Sequence, residues 1–150
     1  MSRFLSLFTL PSLVLFVIVT ADDKYFAIKN QDTGLALDGK EESVKTRRFS
    51  NSDTQLWKMV PSNSNRNVIV NKANGKALTA RHQDGSTVRV LDPDGSRGQQ
   101  WYVNPSGSTF VNAVGNRAID AKDGTGGNLV IVWPQNGKPC QIFELDYDFL

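Results

Sequence analysis

Between residues 22 and 150 the apolar positions never hold helical spacing for three turns. They come in short runs rich in Val, Ile, Leu and Phe, interrupted by turn formers. Runs of this length, bounded by Gly, Asn and Asp, predict β-strands, since a helix would need an apolar stripe kept over ten residues or more. Thr33-Gly34, Asn74-Gly75 and Gly115-Asn116 fall between runs, where a hairpin needs residues that tolerate positive φ. Asp84-Gly85 and Asp123-Gly124 mark a second set of connections. The expected fold class is all-β.

The runs repeat. Ile28-Lys29-Asn30, Ile69-Val70-Asn71 and Phe110-Val111-Asn112 lie 41 residues apart both times, and Ala36-Leu37-Asp38, Ala77-Leu78-Thr79 and Ala118-Ile119-Asp120 keep that spacing. Each copy closes on a Gln-x-aromatic triplet: Gln55-Leu56-Trp57, Gln99-Gln100-Trp101 and Gln141-Ile142-Phe143. A fixed period of this size signals a supersecondary unit used three times, here about four short strands per copy.

The leading segment changes the picture at the front. Arg3 precedes a mostly apolar run from Phe4 to Val19, with small residues at Val19-Thr20-Ala21. That layout predicts a secretory signal peptide over residues 1–21, leaving a single domain over 22–150. The run is interrupted by Pro11 and is shorter than the roughly 20 residues a spanning helix needs, so no membrane insertion is expected after cleavage. The formal charge of the chain is +2. A near-neutral surface offers no footprint for nucleic acid, and Lys45-Thr46-Arg47-Arg48 reads as a solvated loop. Cys140 is the one cysteine, so no intramolecular disulfide can form and stability must come from packing. No asparagine stands in an N-glycosylation sequence, because Asn104-Pro105-Ser106 carries the forbidden proline.

Three repeats of about 40 residues, each ending in Gln-x-Trp or a variant of it, resemble the ricin B-type lectin domain over roughly residues 24 to 147. The resemblance implies a β-trefoil with pseudo-threefold symmetry, and carbohydrate binding in place of catalysis. It implies that Trp57, Trp101 and Phe143 pack in a shared core while each triplet Gln fixes a neighbouring turn. It also implies a sugar site made of an Asp at the end of an early strand, an aromatic after a later one, and polar residues near the triplet. An acidic or amide group serves the hydroxyl rim of a sugar, and a flat ring serves its C–H face.

The Asp position is filled by Asp38, Thr79 and Asp120, and the aromatic position, eight residues before each Gln, by Arg47, Leu91 and Trp133. Only the third copy has both. The expected carbohydrate-binding residues are therefore Asp120, Trp133, Asn136 and Gln141: a hydroxyl acceptor, a stacking platform, a donor from the loop and a brace for Asp120. Asp38 is the weaker candidate, in a copy where Arg47 replaces the ring. The residue before the triplet Gln, commonly Asn in the family, is Thr54, Gly98 and Cys140 here. The expected partners are glycans or glycoproteins outside the cell.

Other classes find less support. His82, the one histidine, sits between Arg81 and Gln83 in a polar stretch, and no motif pairs it with a nucleophile. No enzyme activity, cofactor or metal is expected, because Asp92-Pro93-Asp94-Gly95 lacks the later acidic ligands of a calcium loop. The stronger rival is a secreted protein-binding trefoil, a protease inhibitor or ligand-like protein acting through exposed loops such as 61–67. Trp133 separates the two, since a lectin needs it exposed beside Asp120.

Overall fold

In a computed structural model, the structure describes residues 24–104, 108–122 and 128–148, together with the backbone of 5–9 and 12–16. In the expected leader only β1 (Leu5–Thr9) and β2 (Ser12–Phe16) are described, paired antiparallel with each other. The Asp123-Gly124 connection lies outside the described residues.

Beyond them each copy contributes four strands and one short 3₁₀ turn. The first has β3 (Ala27–Asn30), β4 (Ala36–Asp38), β5 (Lys45–Arg47) and β6 (Trp57–Pro61). The second has β7 (Asn67–Asn71), β8 (Ala77–Thr79), β9 (Arg89–Leu91) and β10 (Trp101–Asn104). The third has β11 (Thr109–Asn112), β12 (Arg117–Asp120), β13 (Ile131–Pro134) and β14 (Phe143–Asp146). The 3₁₀ turns end on Gln55, Gln99 and Gln141, just ahead of the closing strand. The chain is a β-trefoil, with no α-helix among the described residues.

The last strand of each copy pairs with the first strand of the next, in one register three times: Trp57 opposite Asn71, Trp101 opposite Asn112, and Phe143 opposite Asn30. The third pairing joins the end of the domain to its start. Single bridges between Phe26 and Trp57 and between Asn67 and Trp101, with the Phe143 N–H on the Ser108 carbonyl, close the ring into a barrel that has no free edge there. The middle hairpins cap one end. There the Val44 N–H donates to Val88, Val88 to Val130 and Val130 to Val44, at 2.9, 2.8 and 3.0 Å, a closed triangle in which no copy can be omitted.

Alternation of apolar and polar residues along these strands sends one face inward. Phe26, Trp57, Ile69, Trp101, Phe110 and Phe143 fill the interior and are all buried. The indole N–H of Trp57 donates to the Leu37 carbonyl and that of Trp101 to Leu78, so neither polar tip is orphaned. Phe110 and Phe143 meet edge to face, with ring centroids 5.9 Å apart.

The repeated asparagines tie the copies together. Asn71 Nδ2 donates to the Thr54 carbonyl and Asn112 Nδ2 to Gly98, each reaching the 3₁₀ turn of the preceding copy. Asn30 does the same across the chain ends, donating to the carbonyls of Pro139, Cys140 and Ile142. Turns carrying Gly34, Gly75 and Gly115 at positive φ, 70°, 67° and 79°, bear out the hairpin positions.

Candidate functional site

Each triplet Gln is buried and serves its turn by one arrangement. Its Oε1 accepts the N–H of the residue five before it, which is Ser50, Asp94 or Asn136. Its Nε2 donates to the carbonyl seven before it, on Arg48, Asp92 or Pro134. A loop fixed at two points in this way keeps its shape without a regular strand. In the third copy the Gln141 Nε2 also donates to Asp120 Oδ2, at 3.0 Å. One carboxylate oxygen is thus committed and the side chain is aimed.

Asp120, Trp133 and Asn136 line one cleft of about 390 Å³. Asp120 ends β12 and is 5% exposed, whereas Trp133, on the neighbouring β13, is 43% exposed. The strand pairing sets Asp120 opposite Ile131 and Ala118 opposite Trp133, so that both residues of interest emerge on the same hairpin. Trp133 leans on the second copy: a side chain added at Gly85 would meet its ring at 3.7 Å, and the Gly85 N–H holds the Val132 carbonyl at 2.8 Å. Asn136 accepts the Lys138 N–H on its Oδ1, so its amide nitrogen is the end that remains to donate.

Six further residues line the cleft outside the expected set, four of them with polar or ionisable side chains. Cys140 precedes Gln141, Lys138 opens the same 3₁₀ turn, Lys122 follows β12 by two residues, and Asp32 comes from the first copy. Asn30 and the Gln31 N–H, bound to the Ile142 carbonyl, clamp the turn carrying Asp32 against the third copy. The cleft is therefore built across the junction of the two chain ends. Lys138 and Lys122 were within reach of copy-by-copy counting; Asp32 is found only once β14 is known to pair with β3.

Burial pushes the half-buried Cys140 thiol above its ordinary value. Asp120 adds to this through its charge and by accepting a hydrogen bond from the thiol, while Lys138 works in the opposite direction. Alkylation of Cys140 at pH 8 is expected to run slower than that of a cysteine in a short peptide, because less thiolate is present. Asp120→Asn should quicken it, since removing the charge lowers the thiol. Equal rates in the two proteins would show that the thiol does not feel Asp120.

The other two copies differ at the same positions. Asp38 is 5% exposed, its Oδ1 accepts the Lys40 N–H, and Arg47 lies 3.8 Å from its Oδ2. Arg47 also pairs with Glu41 at 2.8 Å, and Lys45 with Glu41 at 2.7 Å, the latter holding that carboxyl below the usual range. Arg47, expected in a solvated loop, instead ends β5 with its guanidinium paired to carboxylates of its own copy. In the second copy Thr79 accepts from Gln99 and Leu91 stands where a ring would be, so neither a carboxylate nor a platform is present. His82 is exposed.

Comparison with known proteins agrees with the fold. The family model for the ricin-type beta-trefoil lectin domain matches residues 24–143. The chain belongs to that family. Carbohydrate binding is its general property, and the ricin-type domain described here shares its fold with lectins. A designed threefold-symmetric protein, ThreeFoil, superposes with a TM-score of 0.77 at 25% identity, covering 83% of this chain and 99% of that one. The lectin of Polyporus squamosus, solved with a Neu5Acα2-6Galβ1-4GlcNAc epitope, superposes at 0.70 with 14% identity, over 83% of this chain and 49% of that one. An exo-β-1,3-galactanase from Clostridium thermocellum gives 0.76 at 19% identity, over 89% of this chain and 32% of that one. The domain thus spans about a third of that enzyme and about half of the Polyporus lectin. No curated protein matches it.

Proposed function

We infer that this ricin-type domain works as a secreted lectin holding one sugar residue of a glycan in the third copy. The observation that carries the reading is Trp133, a large aromatic side chain left 43% exposed in the same cleft as a buried, hydrogen-bonded carboxylate. A ring that served only the core would be covered, as Trp57 and Trp101 are. Trp133 takes the C–H face of the sugar, Asp120 Oδ1 accepts from its hydroxyls, and Asn136 Nδ2 donates to them. Gln141 keeps Asp120 in position without touching the ligand. Secretion rests on the layout of residues 1–21, and the whole protein binds as a lectin without hydrolysing its ligand.

One shallow cleft buries little surface, so monovalent binding is weak and strength on a glycosylated surface comes from repetition. A glycan array probed with the wild-type domain and with Trp133→Ala tests the reading. The variant is expected to lose about tenfold or more on the glycans the wild type selects, given roughly 0.5–1.5 kcal/mol for an aromatic stacking contact on top of its area. Its fold, read by circular dichroism, should be retained. Equal binding by the two proteins would remove the site from the third copy, and binding by neither would favour a protein partner.

A further inference from the structure

Among the described residues, Asp32, Lys122 and Lys138 line the cleft and enter no ion pair with any other side chain. Asp120, the fourth charge, has one oxygen taken by Gln141. The charges of the cleft, two ammonium groups and two carboxylates, are formally balanced, but Asp120 is 5% exposed at its floor, so the exposed rim carries the two ammonium groups against the single carboxylate of Asp32.

The position of Lys138 sharpens this. Cys140 stands where a hydrogen-bond donor would be expected beside Asp120, and a thiol is only a weak donor. Lys138, two residues earlier on the same 3₁₀ turn, is exposed at the cleft, and its backbone N–H is fixed by Asn136 Oδ1. Its counterparts three residues before Gln55 and Gln99 are Ser52 and Ser96. Basic residues recur at the Lys122 position, as Lys40 and Arg81, so Lys138 is what the third copy adds. A charged donor replaces a neutral one.

We propose that the third-copy cleft selects glycans carrying an anionic substituent, a carboxylate or a sulfate ester, which Lys138 and Lys122 bind while the sugar ring lies on Trp133. This rests on the lectin reading given above. Asp32 sets the limit of the preference: exposed and reaching the same cleft from the first copy, it repels an anion bound there. A uronate and a sulfate offer the lysines the same charge at different places on the ring.

The test is an array of matched neutral, uronate-terminated and sulfated oligosaccharides, read with the full domain at ionic strengths of about 0.01 M and about 0.5 M. At low salt one acidic series is expected to exceed its neutral partner by about fivefold, the size an exposed ion pair supplies, and at high salt the advantage should shrink. The series that gains identifies the anion. Lys138→Gln combined with Lys122→Gln should bring the acidic-to-neutral ratio to about one, Lys138→Arg should keep it, Asp32→Asn should raise it, and Lys40→Gln should leave it unmoved. Neutral glycans bound as well as acidic ones, or a ratio indifferent to the lysine changes, overturn the proposal while leaving the sugar site intact if Trp133→Ala still weakens binding. Binding to no glycan overturns both.

Discussion

Asp120→Ala is expected to reduce glycan binding about 100-fold while leaving the trefoil folded. A hydrogen bond to a charged group contributes roughly 1.5–3 kcal/mol, and each 1.4 kcal/mol is a factor of ten. A carboxylate with a free oxygen serves more than one hydroxyl, which places the loss toward the upper end. The cost to stability is smaller, about 1 kcal/mol, because Gln141 keeps the Pro134 carbonyl and the Asn136 N–H after losing Asp120. Calorimetric titration with the best glycan, beside a thermal melt of the same preparation, separates the two effects. If binding persists within about twofold, the carboxylate is not the hydroxyl acceptor and the cleft binds by its rim alone. Asp120→Asn is the finer probe: its oxygen can still accept from Gln141, but the group then facing the cleft is an amide without charge.

The distribution of these effects follows what could be seen in the chain and what could not. Repetition made the fold legible, because Asn30, Asn71 and Asn112 recur at one spacing and three Gln-x-aromatic triplets follow them. In a threefold architecture equivalent positions have equivalent jobs. The turn-fixing role of the Gln residues appears in all three copies with the same two contacts. Asp120, Trp133 and Asn136 were legible as a group because they break the symmetry: Thr79 and Leu91 show what a copy looks like without them. Asp32 was not legible, since nothing in a copy-by-copy alignment says that the first turn packs on the last 3₁₀ turn; that follows from the closure of β14 on β3. The fate of Arg47 was hidden for a related reason. Whether a guanidinium faces a ligand or its own Glu41 depends on a loop conformation that charge and spacing leave open.

Trp101→Ala is expected to have the largest effect on the fold, costing about 3–5 kcal/mol, the range for emptying a buried large aromatic site. Trp101 is fully buried, it opens β10 opposite Asn112, and its indole N–H is the partner of the Leu78 carbonyl at 2.8 Å. Truncation therefore opens a cavity and strands a buried carbonyl together. Against a total of roughly 5–15 kcal/mol for a domain of this size, such a loss lowers the melting temperature by about 10–20 °C. Trp101→Phe should cost only part of this, because the third copy already places Phe143 at the equivalent point of the same core. The consequence reaches the cleft although Trp101 is in another copy. The three copies share one interior and one closed triangle of valine hydrogen bonds, so the hairpin that presents Trp133 unfolds with the rest. Glycan binding by Trp101→Ala should accordingly vanish at the temperature where the whole domain melts, in one transition. A variant that melted in two steps, with binding surviving the first, would mean that the third copy stands on its own and that the core is less shared than its packing indicates.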